Sequence, residues 1–142
     1  MHPFYLEAEL IHPVKTYFQH QGYRVYEEQR LGFRIADIVG IKKNTVIAVE
    51  LKLRDYKTAL AQAKTYQLAA DYVFLAFPLM QCPRVLRKCE HILHKEGIGL
   101  LGVHEETCEI RELIKAMVSQ RKMTSLTQKE LHLSSPKKKP WF

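Results

Sequence analysis

The spacing of apolar residues predicts a chain in which helices and strands alternate. Helical segments place apolar residues every three or four positions, whereas strand segments are short runs rich in β-branched and aromatic residues. The predicted helices are residues 4–21, 56–70, 82–95 and 110–120. The predicted strands are residues 23–28, 35–41, 45–52, 72–77 and 98–103. This order indicates an α/β fold, a small mixed sandwich in which helices flank one sheet.

Two of the predicted strands carry charged residues where a buried sheet should carry none. Asp37 lies in one strand, and Glu50 and Lys52 lie in the next, after a short turn at residues 42–44. Alternate residues of a strand share a face, so Glu50 and Lys52 point the same way, and a hairpin can bring Asp37 beside Glu50. A Glu-x-Lys pair is common on solvated strands, but these carboxylates interrupt apolar runs, where an unpaired charge is costly. A bound divalent cation would remove that cost, so we predict a metal site with an ammonium group beside it.

The spacing of these charges resembles the signature of the PD-(D/E)xK nuclease superfamily. Asp37 is followed, after twelve residues, by Glu50-Leu51-Lys52, and Ala36 stands where the superfamily commonly has proline. The resemblance covers about residues 5–104. It implies a restriction-endonuclease-like αβββαβ core with a mixed sheet flanked by helices, here followed by an extra C-terminal strand and helix. It also implies a nuclease that hydrolyses phosphodiester bonds of DNA, as restriction endonucleases, Holliday-junction resolvases and RecB-type nuclease domains do.

The resemblance assigns a role to each residue of the motif. Asp37, Glu50 and the backbone carbonyl of Leu51 would hold Mg²⁺ or Mn²⁺, hard cations that prefer oxygen ligands. Lys52 would orient the attacking water or stabilise the transition state.

Four further residues are candidates for positioning the substrate. Gln62 and Tyr66 resemble a Gln-xxx-Tyr element that some branches of the superfamily carry on the helix after the Glu-x-Lys strand. They lie one helical turn apart and would position a phosphate or a water. Arg30 and Arg34 belong to a predicted basic loop, residues 29–34, where they either clamp phosphate or are simply solvated.

The first predicted helix offers a third carboxylate. Glu7 falls within its apolar stripe and would face the sheet, whereas Glu9 falls on the opposite side. Members of the superfamily often place an acidic residue on this helix near the metal, so Glu7 is our candidate for a third catalytic carboxylate or for a residue that holds a metal-bound water. Pro13 would kink or restart the helix and rotate the residues before it, which leaves Glu9 as the alternative.

The net charge of +7 is concentrated near the C-terminus. Residues 1–118, predicted to form one nuclease-like domain, have a balance of +2, and residues 119–142 have a balance of +5. A basic extension raises the affinity for polyphosphate through counterion release. We expect this tail to be flexible, either merely solubilising or a docking segment for a protein partner.

The remaining composition places the chain in a reducing compartment away from membranes. Cys82, Cys89 and Cys108 form no Cys-x-x-Cys pair, which argues against a disulfide framework, and they fit amphipathic elements better than a zinc or iron–sulfur site. No apolar run approaches the length of a bilayer span, and the N-terminus lacks the apolar stretch of a signal peptide. We therefore expect a cytoplasmic protein without a membrane partner.

The predicted core leaves little room for a module that reads bases in a groove. We therefore expect an endonuclease that recognises the backbone, ends or junctions of DNA or RNA in repair, recombination or defence. Cutting both strands of a duplex would require a homodimer. Two alternatives stay open, a non-catalytic nucleic-acid-binding module with the same fold and a nuclease subunit docked through residues 119–142 into a larger complex.

Overall fold

The computed structural model describes residues 3–123 and is built on one six-stranded mixed sheet, with strand order β1-β2-β3-β4-β5-β6. The strands are β1 (Arg24–Leu31), β2 (Arg34–Lys42), β3 (Thr45–Leu51), β4 (Tyr72–Pro78), β5 (Gly99–Val103) and β6 (Ile110–Ile114). The helices are α1 (Ile11–His20), α2 (Tyr56–Tyr66) and α3 (Cys82–Glu96), with 3₁₀ segments at Glu7–Leu10 and Leu79–Gln81. Strands β3, β4 and β5 are parallel and the other pairs are antiparallel. The mixed α/β fold predicted from the sequence is confirmed.

Helices cover both faces of the sheet, and this explains why the central strands are apolar throughout. The core on the α1 face includes Leu10, Val14, Phe18, Ile47, Val49 and Leu101. The core on the α2 and α3 face includes Ala48, Ala59, Ala63, Tyr66, Leu75, Val85 and Leu93. Successive residues of β3 therefore alternate between two buried layers, as expected for a central strand with helices on both sides. By that alternation Glu50 and Lys52 lie on the α2 face.

The N-terminal helix is shorter than the sequence predicts. A 3₁₀ segment occupies Glu7–Leu10 and the α-helix begins only at Ile11, so Pro13 falls in its first turn. The first backbone N–H groups of a helix have no partner within it, so proline is tolerated there without losing a bond. The prediction of one helix over residues 4–21 is wrong, and Pro13 is the physical reason.

The β1–β2 connection is a tight hairpin rather than a loop. Gly32 and Phe33 form a two-residue turn, and Gly32 has a φ of 64°, as the first central residue of a type II′ turn requires. The prediction of a basic loop over residues 29–34 is wrong. Arg30 and Arg34 are instead strand residues that flank the hairpin tip.

The last described element is a strand where a helix was predicted. β6 pairs antiparallel with β5, so the predicted helix over residues 110–120, and with it the extra C-terminal helix, is wrong. The five residues Ile110–Ile114 bury Ile114 against the sheet, and they pair with an edge of β5 that would otherwise be open. Satisfying the backbone groups of a buried strand outweighs the helical propensity of so short a segment.

The chain after β6 returns to the body of the domain. The backbone N–H of Ser119 donates to the carbonyl of Asp71 at 2.7 Å, and the Lys122 ammonium lies 2.6 Å from Oδ1 of Asp71. Arg121 pairs with Glu96 at 2.6 Å. The first residues of the predicted basic tail are thus bound to the domain, and residues 124–142 lie outside the described part. Within residues 3–123 no helix has the length and apolar content to cross a bilayer.

Candidate active site

Strands β2 and β3 separate where Asp37 and Glu50 lie. The last ladder pair before this point is Ile38 with Val49, so the register would next place Asp37 opposite Glu50. The backbone N–H of Leu51 instead donates to Oδ2 of Asp37 at 2.8 Å. The Asp37 carboxylate thus replaces a carbonyl as acceptor at the end of the ladder, which fixes its position on the strand.

A tyrosine hydroxyl holds Glu50 in place. The hydroxyl of Tyr66 donates to Oε1 of Glu50 at 2.6 Å and lies 3.2 Å from the carbonyl oxygen of Ile35. The Glu50 side chain is 4% exposed. Burial and the neighbouring Glu50 raise the pKa of Tyr66, so the phenol stays protonated and remains a donor at neutral pH.

The two carboxylates are within hydrogen-bonding reach of each other and both hold protons more tightly than usual. Burial, the largest cause, and the charge of Asp37 together raise the pKa of Glu50 to about 7, against the lowering effects of the Tyr66 hydrogen bond and the Lys52 charge. Burial also raises the pKa of Asp37, while the Leu51 N–H and the Lys52 charge lower it. Two carboxylates this close repel each other when both are ionised, so a proton or a cation between them is favoured.

Lys52 completes the group of charges at the carboxyl end of β3. Its Nζ lies 3.7 Å from Oε2 of Glu50, and its side chain is 18% exposed. The backbone N–H of Lys52 donates to the carbonyl of Ala76 in β4 at 3.1 Å, which keeps the residue in line with the sheet. The structure therefore brings together Asp37, Glu50 and Lys52, as the sequence predicts.

The donor set fits a hard divalent cation. The N–H of Leu51 points toward Asp37, and since the N–H and C=O of one strand residue point to the same side, the Leu51 carbonyl is directed there too. Within residues 3–123 no group of three or more His, Cys, Asp and Glu side chains forms a metal site. Two carboxylates and a carbonyl suit Mg²⁺, which keeps several waters and uses one or two protein carboxylates.

Gln62 has an unusual position next to this group. It precedes Tyr66 by one turn on the same side of α2, and its Oε1 is buried without a hydrogen-bond partner among the described residues. An orphaned buried carbonyl costs free energy unless something outside the described residues bonds to it. Gln62 is thus placed where a bound water or substrate would satisfy it.

Glu28 is an acidic neighbour that the sequence reasoning missed. The β1–β2 register pairs Glu27 with Ile38 and Gln29 with Ala36, which leaves Glu28 across from Asp37. The charge of Glu28 adds to burial in raising the pKa of Asp37. Glu28 has a φ of 48°, which interrupts the regular alternation of side chains between the two faces of β1. Tyr26 and Leu31 are an odd number of residues apart, yet both side chains pack on the core of the α2 and α3 face. Recognising the two-residue turn at residues 32–33 would have predicted the Glu28–Asp37 pairing.

The structure does not bring Glu7 to the carboxylate pair. Glu7 is exposed in the N-terminal 3₁₀ segment, and Leu10 of that segment packs into the core on the α1 face, whereas Glu50 bonds Tyr66 on the α2 face. The alternative, Glu9, accepts the backbone N–H groups of Tyr5 and Leu6 at 2.7 and 2.8 Å, and these bonds lower its pKa. Glu9 therefore caps the start of the segment.

Arg30 and Arg34 lie beside the site in an open groove of about 700 Å³. Phe33, Ile35 and Thr65 complete its lining. The groove adjoins the site because Thr65 precedes Tyr66 and Ile35 supplies the carbonyl next to the Tyr66 hydroxyl.

Comparison with known proteins identifies a protein of similar fold but does not indicate a function. No family model matches the chain, and no curated protein matches it. A solved structure, that of the SPO1766 protein of unknown function from Silicibacter pomeroyi, is similar with a TM-score of 0.63 and 17% sequence identity. The similarity covers 87% of this chain and 79% of that one. At this identity the likeness concerns the fold alone.

Proposed function

We propose that this protein is a Mg²⁺- or Mn²⁺-dependent nuclease that hydrolyses phosphodiester bonds of DNA in a restriction-endonuclease-like fold. The observation that carries the proposal is that the half-buried carboxylate of Asp37 and the buried carboxylate of Glu50 lie together, with the Lys52 ammonium 3.7 Å from Glu50. A module that only binds nucleic acid gains nothing from carboxylates facing phosphate, because they repel it. The same carboxylates become useful once a cation lies between them and the substrate.

Asp37 and Glu50, with the Leu51 carbonyl, are the groups that would hold the metal. When bound there, the cation supplies a Lewis acid for the phosphate and lowers the pKa of a coordinated water. The protein keeps the carboxylates fixed, since Leu51 N–H restrains Asp37 and the Tyr66 hydroxyl restrains Glu50. Positions fixed before substrate arrives reduce the reorganisation that the reaction requires.

Lys52 provides a positive charge next to the reacting phosphate. Its partly exposed ammonium can donate hydrogen bonds to a phosphate oxygen, where negative charge accumulates as the leaving oxygen departs. Loss of a comparable donor in other enzymes costs roughly 10²–10³ in rate. We assign Lys52 to transition-state stabilisation.

The test compares cleavage by the wild type with cleavage by isosteric variants. A panel of duplex, single-stranded, flap and four-way-junction DNA, with matching RNA, is incubated with Mg²⁺, Mn²⁺ or EDTA. Asp37→Asn and Glu50→Gln keep the acceptors that Leu51 and Tyr66 use, so they should fold, bind nucleic acid and cleave at least 10²-fold more slowly. Lys52→Met should do the same.

Two exposed positions supply the controls. Glu27→Gln removes a carboxylate that pairs with Lys15 on the surface. Lys88→Met removes an exposed ammonium on α3. Neither residue contacts the site. Both variants should cleave like the wild type. Cleavage in EDTA, or wild-type rates in the three site variants, would contradict the proposal. Metal-independent binding without cleavage of any substrate would favour a binding module instead.

A further inference from the structure

We propose that the groove beside the carboxylates, lined by Arg30, Phe33, Arg34, Ile35 and Thr65, binds an unpaired nucleotide of the substrate strand, with its base stacked on Phe33. The proposal rests on the nuclease function above and gives it a substrate class. It selects a strand that carries an unpaired base next to the cleaved bond, rather than an uninterrupted duplex.

The apolar exposure of the hairpin tip is the first observation. Phe33, in the turn of the β1–β2 hairpin, is 69% exposed, and Ile35, two residues later in β2, is 57% exposed. An aromatic ring at the tip of a tight turn contributes little to folding when it is so exposed. Both side chains line the groove and give it exposed apolar surface.

The charge of the groove is the second observation. Arg30 and Arg34 flank this apolar surface, and neither has a carboxylate within ion-pair distance among residues 3–123. Elsewhere in the described chain, Lys15, Arg121 and Lys122 have acidic partners. Two unpaired guanidinium groups beside a hydrophobic ring suit a ligand that combines negative charge with a flat apolar face.

Continuity with the carboxylates is the third observation. The carbonyl of Ile35 lies 3.2 Å from the Tyr66 hydroxyl, which bonds Glu50 at 2.6 Å. A strand whose phosphate reaches the carboxylates would therefore place a neighbouring nucleotide in the groove.

An unpaired nucleotide matches these three features better than a duplex does. Bases inside a duplex stack on each other and cannot lay a face on a protein ring, whereas unpaired bases stack readily on aromatic side chains. Arginine contributes both phosphate contacts and stacking at such sites. The groove is also open and shallow, which suits a base resting on a surface rather than an enclosed small molecule.

The test measures binding without cleavage. Fluorescein-labelled oligonucleotides, single-stranded or annealed into a blunt duplex, are titrated with full-length protein in EDTA and followed by fluorescence anisotropy. Phe33→Ala should weaken single-strand binding by about 5- to 150-fold and change duplex binding by less than about twofold. Phe33→Trp should retain single-strand affinity, whereas Phe33→Leu, apolar but not aromatic, should lose it.

Matched controls separate stacking and charge from general damage. Tyr5→Ala removes another exposed aromatic outside the groove and should bind like the wild type. Arg30→Gln and Arg34→Gln should each reduce the salt dependence of single-strand binding by about 0.7 in slope. Arg24→Gln, at the far end of β1, should leave that slope unchanged.

The outcomes distinguish this inference from the nuclease proposal. If Phe33→Ala binds both oligonucleotides like the wild type while the wild type cleaves a substrate of the panel, the groove inference is overturned and the nuclease stands. If single-strand binding depends on Phe33 but no substrate is cleaved, the groove stands and the nuclease fails. Absence of any nucleic-acid binding by the wild type overturns both.

Discussion

The hydroxyl of Tyr66 and the carboxylate of Glu50 form a 2.6 Å hydrogen bond that joins α2 to the carboxyl end of β3. The bond stabilises the charged form of Glu50, which burial otherwise disfavours. One contact thus fixes the position of the carboxylate and moderates its basicity.

Tyr66→Phe should shift the pH dependence of cleavage upward. Without the hydroxyl, the pKa of Glu50 rises above its value of about 7, because a hydrogen bond to the charged form is lost. We expect the acidic limb of the pH–rate profile to move by about one to two pH units, since such bonds to charged groups are worth about 1.5–3 kcal/mol. Tyr56→Phe, on the same helix, should leave the profile in place. Equal midpoints for wild type and Tyr66→Phe would contradict this role.

Glu50→Gln should stabilise the metal-free protein at alkaline pH. The folded pKa of about 7 lies above the ordinary value of 4.5, so the fold favours protonated Glu50. The stability that the fold gains from protonated Glu50 is fully present below about pH 4.5 and is lost as pH rises through about 7. The total loss in the free energy of unfolding is about 3 kcal/mol. Thermal melts in EDTA should show the variant more stable than the wild type at pH 8 and similar at pH 4.5. The control variant Glu27→Gln should follow the wild type at every pH. A constant difference in melting temperature between Glu50→Gln and the wild type at all pH values would refute the prediction.

Metal affinity should fall with acidity below neutral pH. A cation at the pair must displace the proton on Glu50, so the apparent affinity for Mg²⁺ should drop about tenfold per pH unit below about 7. Calorimetric titrations in two buffers of different ionisation enthalpy should also show proton release. Asp37→Asn should bind Mg²⁺ much more weakly. Affinity independent of pH from 5 to 7 would mean that the cation binds elsewhere.

Gln62→Leu should lower activity without lowering stability. The Gln62 carbonyl oxygen is buried without a partner among the described residues, a situation that costs about 1–3 kcal/mol. Removing it should leave the free energy of unfolding unchanged or higher while cleavage slows. Gln67→Leu provides the contrast, because Gln67 donates to the Glu96 carbonyl at 2.6 Å and should lose stability instead. Similar destabilisation in both variants would argue that Gln62 has a structural role.

The order of elements and the charged residues were predictable because both arise from local patterns. The apolar runs of β3 and β4 lie between two helical layers, so their burial is visible in the sequence itself. Asp37, Glu50 and Lys52 stand out against those runs, and strand periodicity alone places the last two on one face.

The errors occurred where a distant partner decides the conformation. β6 is a strand because β5 offers it an edge, which no local pattern of residues 110–114 reveals. Glu28 adjoins Asp37 only because the hairpin turns tightly at residues 32–33, whereas a loop over residues 29–34 was predicted, and such a loop does not define a register. Shifting a turn by one residue changes every cross-strand pair, so acidic neighbours cannot be inferred until the register is known.

The binding of Ser119 and Lys122 to Asp71 determines where the chain leaves the sheet. Asp71 accepts the backbone N–H of Val46 at the amino end of β3, four residues and about 13 Å along the strand from Glu50. A fluorophore, affinity handle or surface tether attached directly after residue 123 would thus be anchored at the rim opposite the carboxylates. Immobilised in that way, the protein would present its acidic rim to solution, which makes single-molecule observation of tethered nucleic acid practicable.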